Sequence, residues 1–179
     1  MADVYLCRQS GMGGFDRQVV VKQIRPDLRD REDVIYMFLD EARINARLSH
    51  SNIVQVLDFN RLQDGTPYLV MEYLDGETLA ARLARNPGGL GAAGLALCEQ
   101  LADVLDRVHR EGVVHRDLKP SNLMIVTDAA LPGGERLKVL DFGVAKASGD
   151  ASAGTASNVP LGTAAYMAPE QFLGAAAVT

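Results

Sequence analysis

His115-Arg116-Asp117-Leu118-Lys119-Pro120-Ser121-Asn122 sets one carboxylate, one ammonium and one amide within a short polar loop. The loop follows an apolar stripe of helical spacing, Leu97, Leu101, Val104, Leu105 and Val108, which ends near Gly112. These residue types suit one chemistry. Asp117 can accept a hydroxyl proton, Lys119 can neutralise phosphate charge, and Asn122 can share a divalent cation with a second carboxylate. Such a carboxylate stands downstream: Asp141, in Asp141-Phe142-Gly143, directly after the apolar run Lys138 to Leu140.

Upstream, Val4 to Cys7 and Val19 to Ile24 are β-prone runs on either side of the flexible turn Gly11 to Gly14, which predicts a hairpin. Lys22 is the single cation of the second run. Pro26 and Asp27 end that strand, and Asp33 to Leu48 has helical spacing that places Val34, Phe38, Glu41, Asn45 and Leu48 on one side. Further strands are expected over Ile53 to Phe59 and Tyr68 to Met71, with the Asp64-Gly65 turn between them. Asp75-Gly76 closes this sheet-rich part. A short helix over Glu77 to Arg85, a loop over Asn86 to Gly91 and the long helix then begin a helical part, with a ligand cleft expected between the two. A Ser/Thr/Gly/Ala stretch from Gly149 to Asn158 has little to bury.

The chain of 179 residues carries 18 Lys+Arg against 23 Asp+Glu, a net charge of -5, which excludes the basic footprint of a nucleic-acid binder. Apolar residues make up 47 % and charged residues 23 %, the balance of a globular chain rather than a disordered one. Cys7 and Cys98 lie far apart without metal spacing and read as reduced, packed thiols of a cytoplasmic protein. No apolar run is long enough to span a membrane. His50 and His109 have no acidic or histidine partner at ligand spacing and read as structural.

Taken together, Val20-Val21-Lys22, His115-Arg116-Asp117-Leu118 with Asn122, Asp141-Phe142-Gly143 and Ala168-Pro169-Glu170 resemble, in order, the signature set of a Ser/Thr protein kinase domain. Each triplet alone is weak; the ordered set is not. Tyr68 to Gly76 and Gly162 to Gln171 are similar in style to the bacterial receptor-like Ser/Thr kinases. The resemblance implies an α+β, protein-kinase-like two-lobed fold. Residues 1–74 would form an N-lobe with an incomplete sheet, and 75–179 the first part of a helical C-lobe, to just past Ala168-Pro169-Glu170.

The resemblance also implies roles. Lys22, paired with Glu41, would clasp the α- and β-phosphates of ATP; Asp141 and Asn122 would hold Mg2+ or Mn2+; Asp117 would take the substrate proton and Lys119 would steady the γ-phosphoryl. Glu72 and Leu74 would offer main-chain groups to adenine, with Met71 gating the pocket behind and Val4 at the end of the nucleotide loop. Thr163 would favour Ser/Thr acceptors. Arg116 would pair with an activation-loop phosphate, with Thr155 preferred and Ser157 second as autophosphorylation sites, a reaction that between copies requires self-association. His115 is expected to pack against Phe142 rather than to do chemistry.

Some residues depart from the family pattern. Ala2 stands where the last loop glycine is expected, the tract Gly11-Met12-Gly13-Gly14 follows the first strand instead of preceding it, and the chain stops nine residues after Glu170. Asn45, one helical turn after Glu41, replaces an apolar side chain and is expected to loosen the active arrangement. Thr127 to Arg136 is longer than the pattern and is expected to form a surface hairpin. The leading expectation is phosphoryl transfer from MgATP to protein Ser/Thr hydroxyls. The alternative is an inactive fragment or pseudokinase-like binding module, and a small-molecule phosphotransferase is disfavoured by Ala168-Pro169-Glu170.

Overall fold

In the computed structural model, which describes residues 1–142 and 165–169, β1 (Ala2–Ser10) and β2 (Asp16–Ile24) pair antiparallel with Val4 directly opposite Lys22. Gly13 and Gly14 both take φ 78°, a left-handed backbone that glycine enters without a Cβ penalty, so the tract makes the hairpin turn. β3 (Val56–Arg61) and β4 (Pro67–Glu72) complete an antiparallel sheet of order β1-β2-β4-β3, with Lys22 opposite Leu69. The predicted strand at Ile53 starts later than expected. Ile53 instead makes an isolated parallel bridge to Val139 of the second sheet, because the segment before Val56 is bound to the other lobe.

α1 (Glu32–Arg47) carries Glu32 and Asp33 in its first turn and Arg47 in its last, the charge order that suits a helix dipole. Its core face holds Val34, Phe38, Glu41, Ala42 and Asn45. Phe38, 1 % exposed, packs with Ile24, Val54, Leu69 and Met71 of the first core. Burying such a ring stabilises by about 1.5–3 kcal/mol.

β4 leads through Tyr73-Leu74-Asp75 into β5 (Gly76–Thr78), which pairs with β6 (Leu123–Thr127), itself paired with β7 (Glu135–Val139). A Cβ on Gly76 would stand 2.1 Å from the Ile125 carbonyl oxygen, so only glycine lets these strands meet. The helix expected over Glu77 to Arg85 loses its first two residues to β5. α2 (Leu79–Arg85) begins where the Thr78 hydroxyl accepts from the Ala81 N–H at 3.1 Å and caps the helix. α3 (Gly91–Arg110) buries Leu97, Val104 and Val108 against Leu123, Leu137 and Val139. The long segment after Thr127 is the β6–β7 turn, as expected of a hairpin.

The two cores meet where α1 runs into β3. Leu48 and Ile53 belong to the second core, the Val139 N–H donates to the Asn52 carbonyl at 2.7 Å, and the Asn52 amide donates to the Leu137 carbonyl at 2.8 Å. The C-terminal end of α1 is therefore fixed to the second lobe while its middle packs on the first sheet.

Two minor readings are corrected. Cys98 is exposed on α3, because its position falls off the buried Leu97 stripe, while Cys7 is partly buried; both are free thiols. His50 does have an acidic partner, Asp103 Oδ2 at 3.5 Å, brought near by the packing of α3. Among the described residues no helix is long and apolar enough to cross a membrane.

Candidate active site

Lys22 sits on the face of β2 that alternates inward with Ile24, toward α1, so its ammonium arrives in a buried position. There it lies 2.5 Å from Glu41 Oε1 and 2.8 Å from Asp141 Oδ1. One cation thus faces two carboxylates. Burial pulls the Lys22 ammonium down, but Asp141 and Glu41 outweigh it and hold it above its usual range. Burial pushes the Glu41 carboxyl up to about 7, Lys22 opposing and Asp141 reinforcing the rise. The two directions agree physically: a single ammonium stays charged but cannot neutralise both acids, and the more deeply buried acid yields.

The His115 to Asn122 loop is folded around Asp117. Lys119 Nζ lies 2.9 Å from Asp117 Oδ2, and the Asn122 amide donates to the Asp117 carbonyl at 2.9 Å and to its Oδ2 at 3.2 Å. Burial lowers the His115 pKa, so the ring is neutral, its Nε2–H donating to the Leu140 carbonyl at 3.1 Å and its Nδ1 accepting from the Asp117 N–H at 3.3 Å. His115 and Phe142 pack ring to ring at 4.9 Å, as the sequence led one to expect. Arg116 (φ 61°) and Asp141 (φ 29°) are the non-glycine residues with positive φ among those described. Holding them there costs on the order of 1–3 kcal/mol each, borne by the surrounding bonds.

The two groups are stitched together by backbone. The Leu140 N–H donates to the Asn122 carbonyl at 2.9 Å while the Leu140 carbonyl takes the His115 bond, so the residue before Asp141 is held to the Asp117 loop from both sides. Lys22, Glu41 and Asp141 are in direct contact, and Asp117, Lys119 and Asn122 form the second knot. Val4 is exposed on β1 across from Lys22, and Met71 is buried at the end of β4 beside Val20 and Val56. Glu72 and Leu74 flank the passage between lobes. Gly143, Thr155, Ser157, Thr163 and Glu170 lie outside the described residues.

The donor set suits a hard divalent cation. Asn122 spends its amide N–H on Asp117, leaving its Oδ1 without a hydrogen-bond donor among the described residues, and the Asp141 carboxylate is 45 % exposed. Amide and carboxylate oxygens of this kind are Mg2+ donors, with phosphate oxygens and water completing the shell.

One set of partners had no signal in the sequence. Lys138 of β7 lies 2.7 Å from Glu72 Oε1, which also accepts from the Gln55 N–H at 2.8 Å. The Glu72 side chain therefore faces away from the cleft and ties the passage to the second sheet. Behind it lies a cavity of about 440 Å3, lined in part by Asn45, His50, Glu72 and Lys138 but by none of Lys22, Asp117, Asn122 or Asp141. This cavity is thus not where the chemical groups converge.

Comparison with known proteins agrees with this geometry. The family model "protein kinase domain" matches residues 1–178. The serine/threonine-protein kinase pkn2 of Myxococcus xanthus is 38 % identical over 177 residues, 98 % of this chain and 20 % of its own length. The tyrosine-protein kinase MasK of the same species is 37 % identical over 187 residues, 97 % of this chain and 28 % of its own length. The crystal structure of the Mycobacterium tuberculosis PknI kinase domain superposes with a TM-score of 0.62 at 29 % identity, covering 80 % of this chain and 54 % of that one. The chain thus spans between a fifth and a third of those two curated relatives. With a β-sheet lobe and a helical lobe meeting at a buried lysine, two acids and an Asp-Lys-Asn loop, the chain belongs to the protein kinase family.

Proposed function

We propose that the chain is the catalytic region of a Ser/Thr protein kinase that moves the γ-phosphoryl group of ATP to a protein hydroxyl. The observation that carries this reading is the convergence of Lys22, Glu41 and Asp141 at 2.5–2.8 Å beside the Asp117–Lys119–Asn122 knot. The lobes divide at 74/75, with the nucleotide between them. Glu72 and Leu74 offer main-chain groups to the base, Met71 closes the pocket behind it and Val4 covers it from β1.

Lys22 binds the α- and β-phosphates, held in place by Glu41. Asp117 accepts the proton of the attacking hydroxyl, whose oxygen bonds to the γ-phosphorus as the bond to the β–γ bridging oxygen breaks and ADP departs. Lys119 sits beside Asp117, where it offsets charge on the γ-phosphoryl oxygens. Mg2+ held by Asp141 and Asn122 would supply charge neutralisation of the phosphates, and Mn2+ shares the same oxygen chemistry.

The acceptor is Ser or Thr, on the strength of Thr163 and of the named function of pkn2; autophosphorylation at Thr155, and secondarily Ser157, follows from Arg116. MasK's printed name makes tyrosine the second reading. The test is transfer from γ-labelled ATP to a generic protein acceptor, with Asp117→Asn as control and phosphoamino-acid analysis of the product. Label on Ser and Thr that Asp117→Asn abolishes supports the reading. Label on Tyr alone moves it to the second, and label that persists in the variant refutes it.

A further inference from the structure

Asn45 lies one turn beyond Glu41 on the core face of α1 and is 4 % exposed. Its amide N–H donates to the Glu41 carbonyl at 2.9 Å, which fixes the orientation of the amide. Its Oδ1 is shut off from solvent and accepts no hydrogen bond from the described residues. The position of α1 that brings Glu41 to Lys22 is therefore the position that buries the Asn45 oxygen without a donor among the described residues. A buried acceptor left unpaired is expensive, an expense that a position of α1 exposing the amide to water would not carry.

We propose that Asn45 is a positioning residue that holds α1 in balance between the ion-paired position and a displaced, hydrated one, so that the Lys22–Glu41 pair is formed in only part of the population. An apolar side chain of similar volume removes the acceptor and shifts the docked-to-displaced ratio by about 5- to 30-fold toward the docked state. Nucleotide affinity follows by a smaller factor, bounded by the reciprocal of the docked fraction, because the apparent dissociation constant scales with the competent population. The consequence for nucleotide rests on the reading that Lys22 and Glu41 clasp its phosphates; the consequence for α1 does not.

The test compares wild type, Asn45→Leu and Asn45→Met, each alone and combined with Glu41→Gln. Two quantities are read: amide hydrogen exchange across α1, and binding of a non-hydrolysable MgATP analogue by calorimetry. Slower α1 exchange in both single variants, with tighter analogue binding that disappears in the Glu41→Gln background, supports the inference; a merely structural gain would not depend on Glu41. Slower exchange with no analogue bound by any chain supports the role of Asn45 in α1 while removing the proposed function. Unchanged or faster exchange in both variants overturns the inference, as does a gain in affinity that survives Glu41→Gln.

Discussion

Lys22 Nζ lies 2.8 Å from Asp141 Oδ1, joining the middle of the first sheet to the residue just beyond the last strand of the second. Glu41 shares the same ammonium at 2.5 Å. Three elements from distant parts of the chain are thereby held at one point, and the charge count there, one cation to two acids, determines how the site responds to substitution and to pH.

Lys22→Met leaves Glu41 and Asp141 facing one another. Removing one member of a buried ion pair costs about 3–5 kcal/mol when the remaining charge cannot be neutralised. Glu41 already holds its proton up to about 7, so it can neutralise itself at acid pH. The loss in chemical denaturation is expected to be near that range at pH 8 and clearly smaller at pH 5.

The wild-type chain itself should lose stability as pH rises. In the folded state the Glu41 carboxyl titrates at about 7, against 4.5 in an open chain, so between these values the folded state binds the extra proton. This contribution of Glu41 to stability is then fully present below about 4.5 and is lost as pH passes through 7. Melting temperatures recorded across this window should fall for the wild type, and the fall should flatten in Glu41→Gln.

The Glu72–Lys138 pair makes a separate expectation. Lys138→Met removes the strut at 2.7 Å that ties the passage between lobes to β7. A half-buried pair of this kind is worth about 1 kcal/mol, so global stability should change little. The affected property is the fixed relation of the lobes: limited proteolysis near Tyr73 to Asp75 should quicken, and nucleotide affinity should weaken severalfold.

Asp117→Asn should separate binding from chemistry. The amide keeps the volume and can still meet Asn122 and Lys119, but it cannot accept the hydroxyl proton. Turnover is expected to fall about 10²–10⁴-fold with nucleotide affinity near wild type, measured by single-turnover transfer beside calorimetry.

Much of this site is legible in the chain because its chemistry is local: Asp117, Lys119 and Asn122 lie in one loop, and the Lys22 strand and Glu41 helix announce themselves by period. What is not legible is set by tertiary packing. Ile53 has strand character yet bridges to Val139, because the segment after α1 is captured by the second lobe. Thr78 belongs to β5 since it pairs with Met124, a partner that no local pattern names. Lys138 and Glu72 are ordinary surface residue types, and only the meeting of β4 and β7 makes them a strut. Asn45 was visible as a departure in the sequence, but that its oxygen lacks a donor among the described residues emerges only from the folded core.

The central claim is that Lys22, Asp117, Asn122 and Asp141 converge on one magnesium-bound nucleotide. Calorimetric titration with ATP, with and without Mg2+, on the wild type, Lys22→Ala and Asp141→Asn tests it most directly. Binding by the wild type that strengthens with Mg2+, weakens at least tenfold in Lys22→Ala and loses its Mg2+ dependence in Asp141→Asn is the expected result, a tenfold loss being about 1.4 kcal/mol. Equal affinity in all three chains, indifferent to Mg2+, would contradict it.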